Sequence, residues 1–199
     1  MKPNAIFIHG WGGTGDGIWM PAAREILKSK FTTHAPDFPN TDNPIYTEWR
    51  DHFDQYLGSR VNPATLQAED IGIGHSLGAG FWFRYLLEKP EEPKNQRTGK
   101  LLKHLILVAP TPDDCGISEI QNFFDSEVDH PKIKSLVDRI TIFGSNNDPY
   151  IPEIKFRILA EQLGAEFILI PQSQHLSGSP AAQAIGWPIL LEYFKKLVG

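Results

Sequence analysis

The stretch Ile71-Gly72-Ile73-Gly74-His75-Ser76-Leu77-Gly78-Ala79-Gly80 decides the fold of this 199-residue chain. Apolar residues alternate with glycine and run into Gly74-His75-Ser76-Leu77-Gly78, a G-x-S-x-G pentapeptide. Phe81-Trp82-Phe83-Arg84-Tyr85-Leu86-Leu87 follows, a segment long enough for a helix. Strand, sharp turn and helix form the context in which such a pentapeptide makes a nucleophile elbow. The serine then sits in a strained backbone conformation, and the glycines two residues to either side leave room for the turn. The helix starting there aims its N–H groups at whatever binds, which suits a developing oxyanion. Taken alone, the pentapeptide is equally compatible with a glycine-rich turn whose serine only caps a helix.

Outward from this stretch, apolar runs alternate with helical patterns. Ala5-Ile6-Phe7-Ile8 reads as a buried parallel strand, ending in His9-Gly10-Trp11-Gly12-Gly13-Thr14-Gly15-Asp16-Gly17. Pro21 suits the first turn of a helix through Ala22, Ala23, Ile26 and Leu27. Residues 31–35 read as a weaker second strand, stopped by Pro36 and Pro39. Residues 45–59 carry Ile45, Trp49, Phe53, Tyr56 and Leu57 at helical spacing, a stripe for core packing. Residues 89–100 read as a solvated, proline-broken connection without chemistry. Leu105-Ile106-Leu107-Val108-Ala109 is wholly apolar and therefore a central strand, while residues 111–138 read as irregular and acidic. Strands at 140–144 and 167–170 and helices at 153–163 and about 181–198 complete the chain. The alternation predicts an α/β protein with a doubly wound, mainly parallel six-stranded sheet. A single domain over residues 1–199 is expected, because 111–138 is too short for a separate cap domain.

Composition narrows the function classes. Hydrophobic residues make up 41% and charged residues 22%, the proportions of an ordinary soluble protein. A net charge of -5 supplies no basic stripe, so neither nucleic acid nor an anionic membrane is the expected partner. Cys115 is the single cysteine and cannot form an intramolecular disulfide. The histidines show no H-E-x-x-H or paired His/Cys spacing, so no metal or other cofactor is expected. A strand predicted within the first residues argues against a signal peptide, which makes a cytoplasmic location the default. The expected partner is a small-molecule substrate.

Parallel strands deliver their last residues to one edge of the sheet, where ligands bind in such folds. The first strand brings His9 to Gly12, the third His75 and Ser76, the fifth Gly144 to Tyr150, and the sixth Gln172 to His175. Serine, aspartate and histidine from distant stretches thus converge in the chain order Ser76, Asp148, His175. A serine hydroxyl needs a base within hydrogen-bond reach, and the base needs a carboxylate to fix its tautomer and stabilise its charged form. The backbone N–H groups of Leu77 and Trp11 are the candidate oxyanion donors. His9 and His75 are other candidates for the base, and Asp113 and Asp114, after the fourth strand, for the acid. A cofactor reading competes: Gly10-Trp11-Gly12-Gly13-Thr14-Gly15 fits G-x-G-x-x-G, and Asp37 stands where a ribose-binding carboxylate would. Gly15, Gly17 and Pro21 delay the helix that such a fingerprint requires, and the reading leaves the elbow, Asp148 and His175 without a role.

Together His9-Gly10-Trp11-Gly12, the pentapeptide, Phe143-Gly144-Ser145-Asn146-Asn147-Asp148-Pro149-Tyr150 and the late His175 resemble small single-domain α/β-hydrolases. The chain is most similar in these motifs to the serine hydrolase family that includes retinoblastoma-binding protein nine and compact bacterial hydrolases. That resemblance implies strand order 2-1-3-4-5-6 and Ser76, Asp148 and His175 as a catalytic triad. One departure stands out: Leu176-Ser177-Gly178-Ser179-Pro180 follows His175, where a glycine-histidine pair is expected. The implied activity is hydrolysis of small esters, thioesters or amides through an acyl-enzyme; the alternative is a protein-binding module on the same scaffold with little turnover. Trp19, Phe123 and Phe124, with Trp11, are expected to wall a shallow pocket that prefers short acyl chains, unless these rings fill the core beneath the loops.

Overall fold

Leu105, Ile106, Leu107 and Val108 are completely buried, as a strand covered on both faces must be. They belong to β4 (Leu102–Val108) of a six-stranded parallel sheet in the order β2-β1-β3-β4-β5-β6. Its other strands are β1 (Asn4–Ile8), β2 (Thr32–His34), β3 (Ile71–His75), β5 (Val137–Gly144) and β6 (Glu166–Leu169). The structure is a computed structural model that describes residues 2–60, 66–88 and 99–199. Most of the proline-broken connection read at 89–100 therefore lies outside the described residues.

The helices are α1 (Met20–Leu27), α2 (Tyr46–Arg60), α3 (Leu77–Glu88), α4 (His130–Leu136), α5 (Glu153–Leu163) and α6 (Pro180–Val198). Strand order runs outward from β1 to β2 and then reverses through β3 to β6. Right-handed crossovers consequently place α1 on one face and α2 to α5 on the other. Accordingly α1 packs with α6, and α2 with α3, α3 with α4, and α4 with α5. Phe7, Ile73 and Ile106 lie side by side across β1, β3 and β4 and are fully buried. Burial of each such side chain contributes roughly 1.5–3 kcal/mol.

Two elements differ from the expectation of an irregular stretch over 111–138. A short 3-10 segment covers Ser118–Phe123, and α4 covers His130–Leu136. Asp129 caps α4 by accepting from the Lys132 N–H at 2.8 Å, and Pro131 sits in its first turn. Strand β5 also begins earlier than its apolar run, at Val137. Asp138 and Arg139 mask it in the sequence because they stand at the exposed amino end, paired with Lys103 at 2.8 Å and Glu166 at 2.6 Å.

Candidate active site

Ser76 occupies the one-residue turn between β3 and α3, with φ of +52°. For a residue with a side chain this costs about 1–3 kcal/mol and persists only where neighbours over-determine it. They do: the Ser76 N–H donates to the Val108 carbonyl at 3.0 Å, tying the turn to β4. Its own carbonyl accepts from the Ala79 N–H at 3.0 Å and the Thr111 hydroxyl at 3.1 Å. A Cβ on Gly78 would overlap the Ile8 carbonyl oxygen, so α3 rests on β1 backbone against backbone.

His175 and Asp148 meet from the loops after β6 and β5. The His175 Nδ1–H donates to Asp148 Oδ2 at 2.7 Å. The other carboxylate oxygen accepts from the Tyr150 N–H at 2.9 Å and the Ile151 N–H at 3.1 Å. The carboxylate is wholly buried and the imidazole nearly so. This pairing fixes the tautomer with the proton on Nδ1, and Nε2 bonds to no other described residue. Asp113 and Asp114 lie elsewhere: Asp113 pairs with Lys155 at 2.6 Å, and Asp114 accepts from the Gly116 N–H at 2.9 Å.

The other two histidines at this edge are committed. His75 donates from Nε2 to the His175 carbonyl at 3.0 Å, and burial pushes its pKa down to about 3, so it is neutral. His9 donates from Nδ1 to the Gly10 carbonyl at 2.8 Å and accepts the Phe38 N–H at Nε2, 3.2 Å away. Burial lowers its pKa as well. His9 thus braces the glycine-rich loop. Asp37 has a similar task, accepting from the Gly15 N–H at 2.7 Å, so the carboxylate that suggested ribose recognition is spent inside the loop. Helix α1 begins only at Met20, well beyond that glycine. The Trp11 side chain is anchored by its indole N–H on the Asp42 carbonyl at 2.8 Å. Among the described residues, neither the Trp11 nor the Leu77 backbone N–H donates to an acceptor.

Trp11, Ser76, Leu77 and His175 line one cavity of about 200 Å³. Ile117, Ile120 and Ile151 form its apolar wall, and Tyr150 stands 65% exposed beside it, its ring edge-on to His175. No Lys, Arg, Asp or Glu lines it among the described residues. Three expected wall residues are not there. Trp19 is fully buried and stacks on Phe194 at 5.9 Å, because it belongs to the seam between α1 and α6. Phe123 is buried edge-on against Tyr46 and Trp49. Phe124 lies against α3, its ring close enough to Gly80 to exclude a Cβ there. Sequence reasoning missed Ile117, Ile120, Tyr150 and Ile151; the last two directly follow the Asp148-Pro149 turn, which was the available signal. Among the described residues no group of His, Cys, Asp and Glu could hold a metal ion, and no helix is long and apolar enough to cross a membrane.

Comparison with known proteins agrees with this architecture. YdeN of Bacillus subtilis (strain 168) is 22% identical over 205 residues, covering 98% of each chain. The crystal structure of the B. subtilis ydeN gene product superposes with a TM-score of 0.75 at 20% identity, covering 97% of this chain and 99% of that one. Est1E from Butyrivibrio proteoclasticus, solved with ferulic acid bound, gives 0.71 at 15% identity, over 98% of this chain and 87% of that one. At these identities the structural likenesses establish the fold. The sequence model of the Serine hydrolase family matches residues 5–196, nearly the whole length, and the chain therefore belongs to that family of α/β-hydrolases.

Proposed function

We propose that this serine hydrolase cleaves small carboxylic esters, with Ser76 as nucleophile, His175 as general base and Asp148 as its orienting acid. The observation that carries the reading is the 2.7 Å Asp148–His175 pair, whose histidine keeps Nε2 free of other described residues and lines the same cavity as the strained Ser76. In this scheme Nε2 takes the Ser76 hydroxyl proton as Oγ bonds to the ester carbonyl carbon. The carbonyl oxygen becomes an oxyanion held by the N–H groups of Leu77 and Trp11. Collapse breaks the bond to the alkoxy oxygen, which leaves as alcohol with the proton from His175. Water, deprotonated by the same nitrogen, then releases the acid and regenerates Ser76. Thioesters and amides fit the same apparatus.

The size and chemistry of the cavity set the expected substrate. At about 200 Å³ it is smaller than pockets for drug-sized ligands, roughly 300 Å³ and upward. Each acyl methylene gains roughly 0.8 kcal/mol only while it finds apolar wall to bury against. Efficiency should therefore peak for acyl chains of about two to six carbons and fall beyond. A panel of esters of graded acyl length tests this, with Ser76→Ala and a fluorophosphonate probe as controls. Rising efficiency through long chains would refute the size assignment. A wild type that neither turns over esters nor takes the probe would refute the enzyme and leave a binding module.

A further inference from the structure

Two loops at the carboxyl edge of the sheet are joined rung by rung. Residues 145–148 follow β5, and residues 172–175 follow β6. Asn146 Oδ1 accepts from the Gln172 N–H at 3.0 Å. Ser145 Oγ accepts from the Ser173 N–H at 3.0 Å. Asn147 Oδ1 accepts from the Gln174 N–H at 2.8 Å. The fourth rung is the Asp148–His175 pair itself. Cross-braces tie the rungs together: the Ser145 hydroxyl donates to Asn147 Oδ1 at 2.8 Å, and the Asn147 amide donates to Gln172 Oε1 at 3.2 Å.

The loop that carries the base needs such support. Gln172, Gln174 and Leu176 have φ of +58°, +48° and +57°, the left-handed region that favours glycine. Such a conformation is strained for a residue with a side chain and persists only where the surroundings over-determine it. The Gln174 side chain adds one restraint by accepting from the Ser179 N–H at 2.9 Å. The three rungs supply the rest, and each one grips the main chain of a residue just before His175.

We propose that Ser145, Asn146 and Asn147 are positioning residues that clamp the Gln172–Gln174 backbone and thereby fix the His175 ring beside Ser76. The inference rests on the reading of His175 as base. It adds that the serine and two asparagines preceding the acid act on the base loop rather than on substrate, since none of them lines the cavity. Displacement of a reacting group by about 1 Å can cost on the order of 100-fold in rate, so the loss of a rung is expressed in kcat.

Asn147→Ala is the decisive variant, because Asn147 is exposed and its truncation leaves the core intact. It should lower kcat about 10- to 100-fold on a short ester with KM within about threefold. Asn147→Asp keeps the acceptor oxygen of the rung but not the amide that donates to Gln172, and should recover part of the rate. Ser145→Ala, at a fully buried position, should act in the same direction. Proton NMR supplies a readout independent of turnover: the hydrogen-bonded His175 Nδ1–H resonates far downfield, and should shift or broaden in both alanine variants and return in Asn147→Asp. Wild-type kcat and an unmoved proton in Asn147→Ala would overturn the clamp, as would a change in KM alone. If wild type hydrolyses no ester, the proposed activity fails while the proton still decides the clamp. If Ser145→Ala does not fold, Asn147→Ala decides by itself.

Discussion

Buried carboxylates stand at both ends of this sheet, and only one of them leads to an unanswered polar group. At the amino end, Asp70 accepts from the Asn4 N–H at 2.7 Å, the Asn4 amide at 3.1 Å and the Gln67 N–H at 2.9 Å. Asn4 in turn accepts from His34 Nε2 at 3.1 Å, whose other nitrogen meets the Tyr56 hydroxyl at 3.3 Å. Every polar group in that chain is answered. At the carboxyl end Asp148 is held as tightly, but the chain it starts stops at His175 Nε2, beside a cavity. Closed, such a network is structure; left open by one group, it becomes a candidate site.

That contrast can be broken by substitution at each end, with activity and stability read side by side. Ser76→Ala should cost the largest effect, on the order of 10⁴-fold or more in kcat, with the melting temperature essentially unchanged. A variant that keeps a tenth of wild-type activity removes Ser76 from its role. Asp148→Asn should follow with a loss on the order of 10³- to 10⁴-fold, because the amide cannot hold the Nδ1–H tautomer. Asp113→Asn should stay within a few-fold of wild type, and the reverse ranking would move the acid to the loop after β4. At the closed end, Asp70→Ala leaves the buried Asn4 N–H and the half-buried Gln67 N–H unanswered. It should lower stability by about 2–4 kcal/mol without changing kcat of the folded fraction. A substantial loss of kcat there would erase the distinction between the two ends.

The smallest effect per residue is a pH dependence to which several buried histidines contribute. Burial lowers the His104 pKa to about 4 and the His75 pKa to about 3, against 6.5 in the unfolded chain. Below pH 6.5 the unfolded state takes up protons that the folded state refuses, so stability falls as pH drops through that window. Each histidine contributes a loss of roughly 1.4 kcal/mol per pH unit, or about 2 kcal/mol at pH 5. Asp70 carries the opposite sign, since burial raises its pKa and acid relieves it. Thermal melts from pH 7 to 5 should show a falling midpoint, and His104→Gln should make the fall shallower. A flat profile in wild type would mean that these rings are not held neutral.

What the sequence made legible follows from how local each cause is. The elbow could be read because Gly74, Ser76 and Gly78 satisfy a steric demand within one turn. The strand order came from resemblance, and the convergence of Asp148 with His175 from the rule that parallel strands end together. Pocket residues were harder, since burial is set by distant partners. Trp19 sits next to the glycine-rich loop in sequence, yet its partner is Phe194 on the last helix. Asp37 misled for the converse reason: its spacing fits a cofactor motif, while its bond to Gly15 is visible only once the loop folds back. The first residues of β5 were hidden by charge, because side chains at the exposed amino end of a strand are free to be polar.

The contact between Gly78 and Ile8 has a consequence for the tolerance of core substitutions. It joins two main chains with no side chain between them, so changes of volume in the core have no purchase on the spacing there. The proposed oxyanion donors hang from its two sides, Trp11 on the loop after β1 and Leu77 at the start of α3. Their separation is set by this one glycine, since a side chain at residue 78 would push α3 away from β1. Volume changes in the hydrophobic core can therefore be absorbed elsewhere in the sheet without moving the two proposed donors apart.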